Sequence, residues 1–327
     1  MAKSIFDGKE ILVTGGTGSF GKRFIRRVLK DHKPKRVTVF SRDELKQSEM
    51  AEQFRGKRVR FLLGDIRELP RLQRAFHGID IIIHAAALKQ VPTLEYNPFE
   101  AVKTNIIGAE HVITAAIDQG VKLVVALSTD KAVNPVNLYG ATKLCMEKLF
   151  IAGNAYAAGK GTRFSAVRYG NVLGSRGSVY HVFKNHRKSG RLPVTDKRMA
   201  RFWITLDQGI DCVYFAAEHM TGGEVFVPKI PSMKVTDFAK VVAPGCKLEY
   251  MGIRPGEKLN EVLLTEIEST RTVDTGQNYV ILPQAPGGEV LKWRGGGRMV
   301  PEGFRYASDS NDDWLTADKM KGLLQKI

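Results

Sequence analysis

Residues Val13 to Gly21 read Val-Thr-Gly-Gly-Thr-Gly-Ser-Phe-Gly, and this run constrains the fold more than any other. A β-branched segment, Ile11 to Thr14, precedes it. Phe20, Phe24, Ile25, Val28 and Leu29 then repeat at helical spacing behind it. Gly15, Gly18 and Gly21 therefore lie in a tight strand-to-helix turn. Glycine there lets the chain reverse, lets a pyrophosphate approach backbone N–H groups, and lets the helix pack close to the strand. A glycine triplet alone is weak evidence, but its place in a strand–turn–helix unit makes it strong. The expected phosphate contacts are Thr14, Gly15, Thr17, Gly18, Ser19, Phe20 and Gly21.

The rest of the first half alternates in the same way. Strands are expected at Arg36 to Ser41, Val59 to Leu63, Ile79 to His84, Leu123 to Ser128 and Phe164 to Val167. Helical spacing separates them, as in Val102, Ile106, Ala109, Ile113 and Ala116. Runs such as Leu123 to Leu127 lack period-two alternation, so both faces of these strands should be covered. The expectation is a doubly wound α/β fold: a parallel Rossmann sheet over residues 1–170, then a smaller C-terminal substrate-binding domain over 171–327. That second part should be discontinuous, with some segments returning to the first; it includes a strand at Glu224 to Val227 and a helix at Thr236 to Val242. The Gly- and Pro-rich stretch from Ala285 to Gly297 reads as a mobile surface connection.

Composition excludes several classes. No run approaches the roughly 20 apolar residues of a membrane span, and Met1 to Lys9 has no apolar signal core, so the expected location is the cytoplasm. Cys145, Cys212 and Cys246 have no metal-ligand spacing, and no metal is expected. The net charge of +16 is concentrated in Lys22 to Arg36, Arg55 to Arg60, Arg67 to Arg74 and Lys184 to Arg201. These clusters lack the interleaved aromatics of a single-strand groove and read as solvated helix faces that also attract anionic nucleotides. His84, between Ile83 and Ala85, reads as a satisfied buried group.

The second strand ends in Phe40-Ser41-Arg42, where a site for NAD would carry an acid. A hydroxyl and a guanidinium suit a 2′-phosphate, so NADP is the expected cofactor. Ser41 could also cap the next helix with Glu44, and the two roles are compatible. Asp65 and Ile66, and Ala85, Ala86 and Ala87, end the next two strands where the cofactor would pass. Thr104 and Val172 complete its expected contacts.

Tyr139 and Lys143 stand four apart on one helical face. A free phenol is too weak a base at neutral pH, and a neighbouring ammonium would bring it toward working range. Thr129, ten residues before Tyr139, ends the fifth strand and can hydrogen-bond the same substrate oxygen. The glycine pattern, this threonine and Tyr-x-x-x-Lys together resemble the extended short-chain dehydrogenase/reductase superfamily over nearly the whole chain. Ala85 to Pro92, Ser128 to Pro135 and Arg201 to Thr205 are similar to the inverting UDP-N-acetylglucosamine 4,6-dehydratases, and Pro301 to Phe304 and Asn311 to Leu315 also fit that group.

The pair after Thr129 is the most informative. Retaining dehydratases carry Asp-Glu there; this chain carries Asp130-Lys131, as the inverting group does. The resemblance implies that Tyr139 takes the C4 hydroxyl proton, Lys131 the C5 proton, and Asp130 protonates the departing C6 hydroxyl, with hydride leaving C4 and returning to C6. Lysine serves as a base if burial or nearby cations depress its pKa. The resemblance further points to Lys89, Thr129, Asn171, Thr195, Arg201, Arg254 and Glu257 as contacts for UDP-N-acetylglucosamine, and to a homo-oligomer. Two rivals stay open: a retaining dehydratase or 4-epimerase, and a non-enzymatic NADP- or nucleic-acid-binding protein. Asp130-Lys131 argues against the first pair, and intact Tyr139, Lys143 and Thr129 against the second.

Overall fold

In the computed structural model, which describes residues 4–284, 293 and 295–325, six parallel strands form one side of a ten-stranded sheet. They are β1 (Glu10–Thr14), β2 (Arg36–Ser41), β3 (Val59–Leu63), β4 (Ile81–His84), β5 (Leu123–Leu127) and β6 (Arg163–Val167). Their spatial order is β3-β2-β1-β4-β5-β6. The chain winds one way from β1 to β3, then returns to place β4 on the other side of β1. Doubly wound sheets hold ligands at such a reversal, beyond the strands' C-terminal ends.

The connections are α1 (Ser19–Asp31), α2 (Glu44–Gln53), α3 (Leu69–Phe76), α4 (Val91–Tyr96), α5 (Pro98–Val102), α6 (Gly108–Asp118) and α7 (Leu138–Tyr156). On one face Phe24, Ile25 and Val28 of α1 pack with Val13, Val37 and Val39. On the other, Leu72, Val112, Ile113 and Phe150 pack with Leu12, Ile82 and Val124. Alternate residues of each strand thus feed opposite cores. Every residue of β4 and β5 is buried, which accounts for their lack of alternation. Each fully buried large apolar side chain contributes about 1.5–3 kcal/mol, so both faces hold the strand ends in place.

The sheet runs further than six strands. Val225–Pro228 pairs parallel to β6, followed by antiparallel Asn278–Ile281 and Thr272–Asp274 and, at the edge, Arg298–Met299. The strand expected at Glu224 to Val227 is therefore part of the main sheet. A separate core gathers Leu173, Phe183, Leu192, Trp203, Met233, Phe238 and Met320, with Trp203 stacked on Phe238 at 4.1 Å. The helix Val235–Val242 belongs to it. Residues 285–292 and 294, most of the connection expected to be mobile, lie outside the described residues.

Two features fix the elements that meet at the strand ends. Between α5 and α6, Lys103–Ile107 forms a π-turn, an insertion frequent at functional sites. It turns Asn105 inward, where Oδ1 accepts from Leu88 N at 2.9 Å while Nδ2 donates to Leu88 O at 2.9 Å and Thr142 Oγ1 at 3.0 Å. The second is Arg168, just past β6. Its guanidinium donates to Glu147 on α7 at 2.5 and 3.1 Å, to Glu268 at 2.9 and 3.1 Å, and to Leu263 O at 2.9 Å. Ser128 Oγ donates to the same Glu147 at 2.7 Å.

Candidate functional site

A cavity of about 790 Å³ opens at the reversal point, lined by the glycine turn, the ends of β2 to β5, the start of α7 and the chain after β6. Gly15 sits at φ +64°, and a Cβ there would come within 2.8 Å of Ala86 N. At Gly21 a Cβ would meet Gly16 Cα at 2.5 Å. The first glycine lets the turn pass against the end of β4; the last seats α1 on its own turn. Gly18 is the N-cap of α1 and offers no side chain to its free N–H groups, which leaves them available to an anion. Thr17, Ser19 and Phe20 line the same wall.

Thr14 does not line the cavity. It is fully buried, 2.9 Å from His84 Nδ1, and accepts from Ala86 N at 3.3 Å, so it ties β1 to β4. Burial pushes the His84 pKa down to about 3, with the Lys143 charge adding to the effect; the ring is a neutral hydrogen-bonding group.

At the tip of β2, Ser41, Arg42, Asp43 and Lys46 line the cavity. Ser41 does not cap α2. Asp43 does, accepting from Lys46 N at 2.9 Å, because it stands one residue before the helix while Ser41 is still in the strand. Ser41 Oγ accepts instead from Gln47 Nε2 at 3.0 Å. Arg42 Nη1 reaches Asp65 Oδ2 at 3.5 Å, while Arg67 holds that carboxylate at 2.7 and 2.9 Å. Burial alone would raise the Asp65 carboxyl, but Arg67 and Arg42 hold it below the usual range. Ile66, Ala85, Ala86, Ala87, Thr104 and Val172 line the remaining wall. Lys46 was not anticipated; its only sequence signal is a cation three residues past Asp43.

Tyr139 opens α7, whose N-cap Asn137 accepts from Gly140 N at 2.7 Å. A Cβ on Gly140 would collide with Lys131 O, so glycine lets α7 press on the turn Asp130–Ala132 and brings Tyr139 beside it. Burial raises the Tyr139 phenol to about 12, although the Lys131 charge and a hydrogen bond with Thr129 act against it. Lys143 is not what faces the phenol. Its ammonium donates to Leu127 O at 2.5 Å, and burial brings it down to about 7 against the pull of Glu147. The cation whose charge favours the Tyr139 phenolate is Lys131.

Asp130 is fully buried. Its Oδ1 accepts from Thr129 Oγ1 at 2.8 Å and from Lys131 Nζ at 3.0 Å; its Oδ2 has no partner. Burial and the charge of Glu261 push this carboxyl up, against the attraction of Lys131. The Lys131 pKa is raised, not depressed as expected: burial lowers it, but Asp130 and Glu261 outweigh burial. Lys131 Nζ also donates to Asn171 Oδ1 at 3.2 Å.

Glu261 is another residue that sequence reasoning missed. It is almost fully buried and lies between Lys131 at 3.7 Å, Arg201 at 3.8 Å and Lys258 at 3.6 Å. Its one signal was the charge alternation Glu257-Lys258 to Glu261.

Lys89, Asn171 and Glu257 line the cavity, and Glu257 Oε2 is buried without a partner. Thr195, Arg201 and Arg254 do not line it. Arg201 spends its donors on the carbonyls of Ala200, Leu259 and Lys258 at 2.8, 2.7 and 2.8 Å; it shapes the Glu257 loop from behind. Arg254 is exposed, 4.0 Å from Glu257. Tyr169, Arg176, Trp203 and Leu206, unassigned from sequence, also face the cavity.

The chain matches the family described as Polysaccharide biosynthesis protein over residues 11–283. It is 48% identical to a Campylobacter jejuni protein named UDP-N-acetylglucosamine 4,6-dehydratase (inverting), over 98% of each chain. A Rickettsia canadensis protein named UDP-glucose 4-epimerase is 41% identical over 85% of this chain and 84% of its own length. Among solved structures, that of Pen from Bacillus thuringiensis superposes with a TM-score of 0.90 at 40% identity, covering 98% of both chains.

Proposed function

The chain belongs to the polysaccharide biosynthesis protein family, and from that premise we propose that it is a nucleotide-sugar 4,6-dehydratase that inverts C5. Its substrate is UDP-N-acetylglucosamine and its product UDP-2-acetamido-2,6-dideoxy-β-L-arabino-hex-4-ulose. One observation carries this reading over epimerase chemistry: a buried carboxyl and an amine, 3.0 Å apart, stand beside the phenol at the strand end. A 4-epimerase moves hydride and a proton at C4 alone and has no use for a second acid and base.

The cavity suits a dinucleotide. Gly15 leaves room only for backbone against Ala86, the α1 N-terminus is uncapped, and Thr104 Oγ1 is buried, unpartnered and on the lining. Ser41, Arg42 and Lys46 favour NADP through its 2′-phosphate. When bound, the nicotinamide would supply the hydride acceptor for C4 and the hydride donor for C6. Thr129 hydrogen-bonds the C4 oxygen, and Tyr139, ionised to the phenolate beside the Lys131 charge, takes its proton as hydride departs. The ketone so formed acidifies C5.

Lys131 must be neutral to remove the C5 proton, yet its two carboxylate neighbours keep it charged at rest. The hydrogen bond to Asp130 resolves this. Passing one proton from Lys131 to Asp130 leaves a neutral amine, which takes the C5 proton, and a neutral carboxylic acid, which protonates the departing C6 hydroxyl. Burial of Asp130 favours that direction. No proton need enter from solvent for elimination; a solvent-derived proton delivered to C5 from the opposite face then completes the inversion, and the C4 proton held by Tyr139 returns to solvent.

The test is incubation with UDP-N-acetylglucosamine in deuterated water without added reductant, followed by proton NMR. The expected result is a new 6-methyl signal, deuterium at C5 and no accumulation of NADPH. Asp130→Asn should lower the rate by about 10²–10⁴. Recovery of unchanged sugar, or of sugar altered only at C4, refutes the proposal.

A further inference from the structure

After the strand Asn171–Val172 the chain makes the turn Gly174 to Ser178 before the helix Val179–His186. Gly174 and Gly177, at φ +67° and +73°, let it double back. The turn does not lie out in solvent. Ser175, Arg176, Gly177 and Ser178 all line the cavity, on the wall facing the glycine turn. Two hydrogen bonds hold the backbone of Arg176 across it: its N–H donates to Ser19 Oγ at 3.4 Å, and its carbonyl accepts from Lys89 Nζ at 3.2 Å. A Cβ on Gly177 would come within 2.6 Å of Gln90 Nε2. The turn thus bridges the first residue of α1 and the loop after β4, spanning the cavity over its phosphate end.

Arg176 makes no ion pair with a carboxylate among the described residues. Its charge is nevertheless felt by Asp43, which places the guanidinium toward the start of α2. Arg42 and Lys46 line the cavity on that same side. Asp43 itself is already matched by Lys46. Arg176 therefore adds a positive charge, unpaired with any carboxylate among the described residues, to the space that its turn shares through Ser19 with the uncapped N-terminus of a 13-residue helix. Anions are what such a space accommodates.

We propose that Arg176 is a cofactor-binding residue, whose turn forms the second wall of the dinucleotide's pyrophosphate site and whose guanidinium closes on the phosphates that α1 holds from the other side. This rests on the dinucleotide reading above. It also explains a design that would otherwise hinder an enzyme. A dehydrogenase must release spent cofactor after each turnover; a hydride that is borrowed and handed back leaves the cofactor as it began. A strap across the pyrophosphate costs such an enzyme nothing and prevents loss of the carrier. The same chemistry could serve the substrate's diphosphate, so the test separates the two.

The full chain and its Arg176→Ala and Arg176→Lys variants are purified, and nucleotide released on denaturation is quantified per protein. Each is then titrated with NADPH alone, followed by fluorescence, and with UDP alone, followed by calorimetry. Loss of charge-assisted hydrogen bonds corresponds to roughly 10- to 100-fold in affinity. Arg176→Ala should lose its co-purified cofactor and weaken NADPH by that factor, with UDP changed less than threefold and Arg176→Lys intermediate. Arg176 is exposed, so the thermal midpoints of the nucleotide-free proteins should coincide. NADPH affinity within twofold of the wild type overturns the inference. So does a loss confined to UDP, which assigns Arg176 to the substrate. A wild-type protein that binds no NADPH overturns the dinucleotide reading instead.

Discussion

Replacing Arg168 by methionine should be among the most damaging single changes in the protein, although Arg168 does not line the cavity. Its guanidinium is 3% exposed and neutralises two carboxylates, Glu147 at 2.5 Å and Glu268 at 2.9 Å. Methionine fills much of the volume, so packing loss is small. What remains is two acids facing each other inside the protein. Breaking a buried pair by removing one partner costs about 3–5 kcal/mol, against a total stability of about 5–15 kcal/mol for an ordinary domain. An exposed pair such as Lys321–Asp318 would cost about 0.2–1 kcal/mol. Urea unfolding, extrapolated linearly to water, measures the difference. The triple variant Arg168→Met, Glu147→Gln, Glu268→Gln should recover a large part of the loss, because it removes the charges that methionine leaves unmatched. A single variant within 1 kcal/mol of wild type, or a triple variant no better than the single, would refute the reasoning.

Two further outcomes follow from the same structure. Gly15→Ala must adopt φ +64° and place its Cβ 2.8 Å from Ala86 N, whereas Gly8→Ala, at φ +72°, meets nothing within 4 Å. Both should lose about 1–2 kcal/mol to backbone strain, but only Gly15→Ala should weaken NADPH by tenfold or more in a fluorescence titration. For pH, burial would raise the Glu268 carboxyl, but Arg168 holds it down to about 2 from an ordinary 4.5. A carboxyl depressed in the folded state adds stability above pH 4.5, and that contribution is lost as pH falls toward 2. It amounts to about 3 kcal/mol, and Glu268→Gln should flatten acid unfolding over that window.

The parallel strands and their order of appearance were legible because apolar runs, glycine turns and helical spacing are local signals. The glycine turn was legible for the same reason: its steric demand is met within a few residues, apart from the end of β4. The charge state of Lys131 was not. It depends on Glu261, which only the folded chain brings within 3.7 Å, and the carboxylates there reverse the shift that burial would give. Arg201 illustrates the converse. A cation near a nucleotide site reads as a phosphate ligand, yet backbone carbonyls of residues 258 and 259 satisfy it first. Lys143 was placed on the correct helical face, but helical spacing cannot say whether its ammonium turns toward Tyr139 or toward Leu127 O. That some later segments return to the first part was expected, but that Val225–Pro228 is one of them, paired with β6, was not assigned, because strand pairing partners leave no mark in a single sequence.

The π-turn at Lys103–Ile107 makes the length of this stretch matter more than its composition. It is one residue longer than a regular helix would need, and that surplus is what points Asn105 at Leu88 and Thr142. A single-codon deletion inside it would let α5 and α6 fuse into one regular helix. Everything on the amino-terminal side would then rotate by about 100° and slide by about 1.5 Å against the remainder. Ala101 would leave its buried position and Thr104 would swing off the cavity wall. Descendants of this gene can therefore vary the letters between β4 and α6 far more freely than their number.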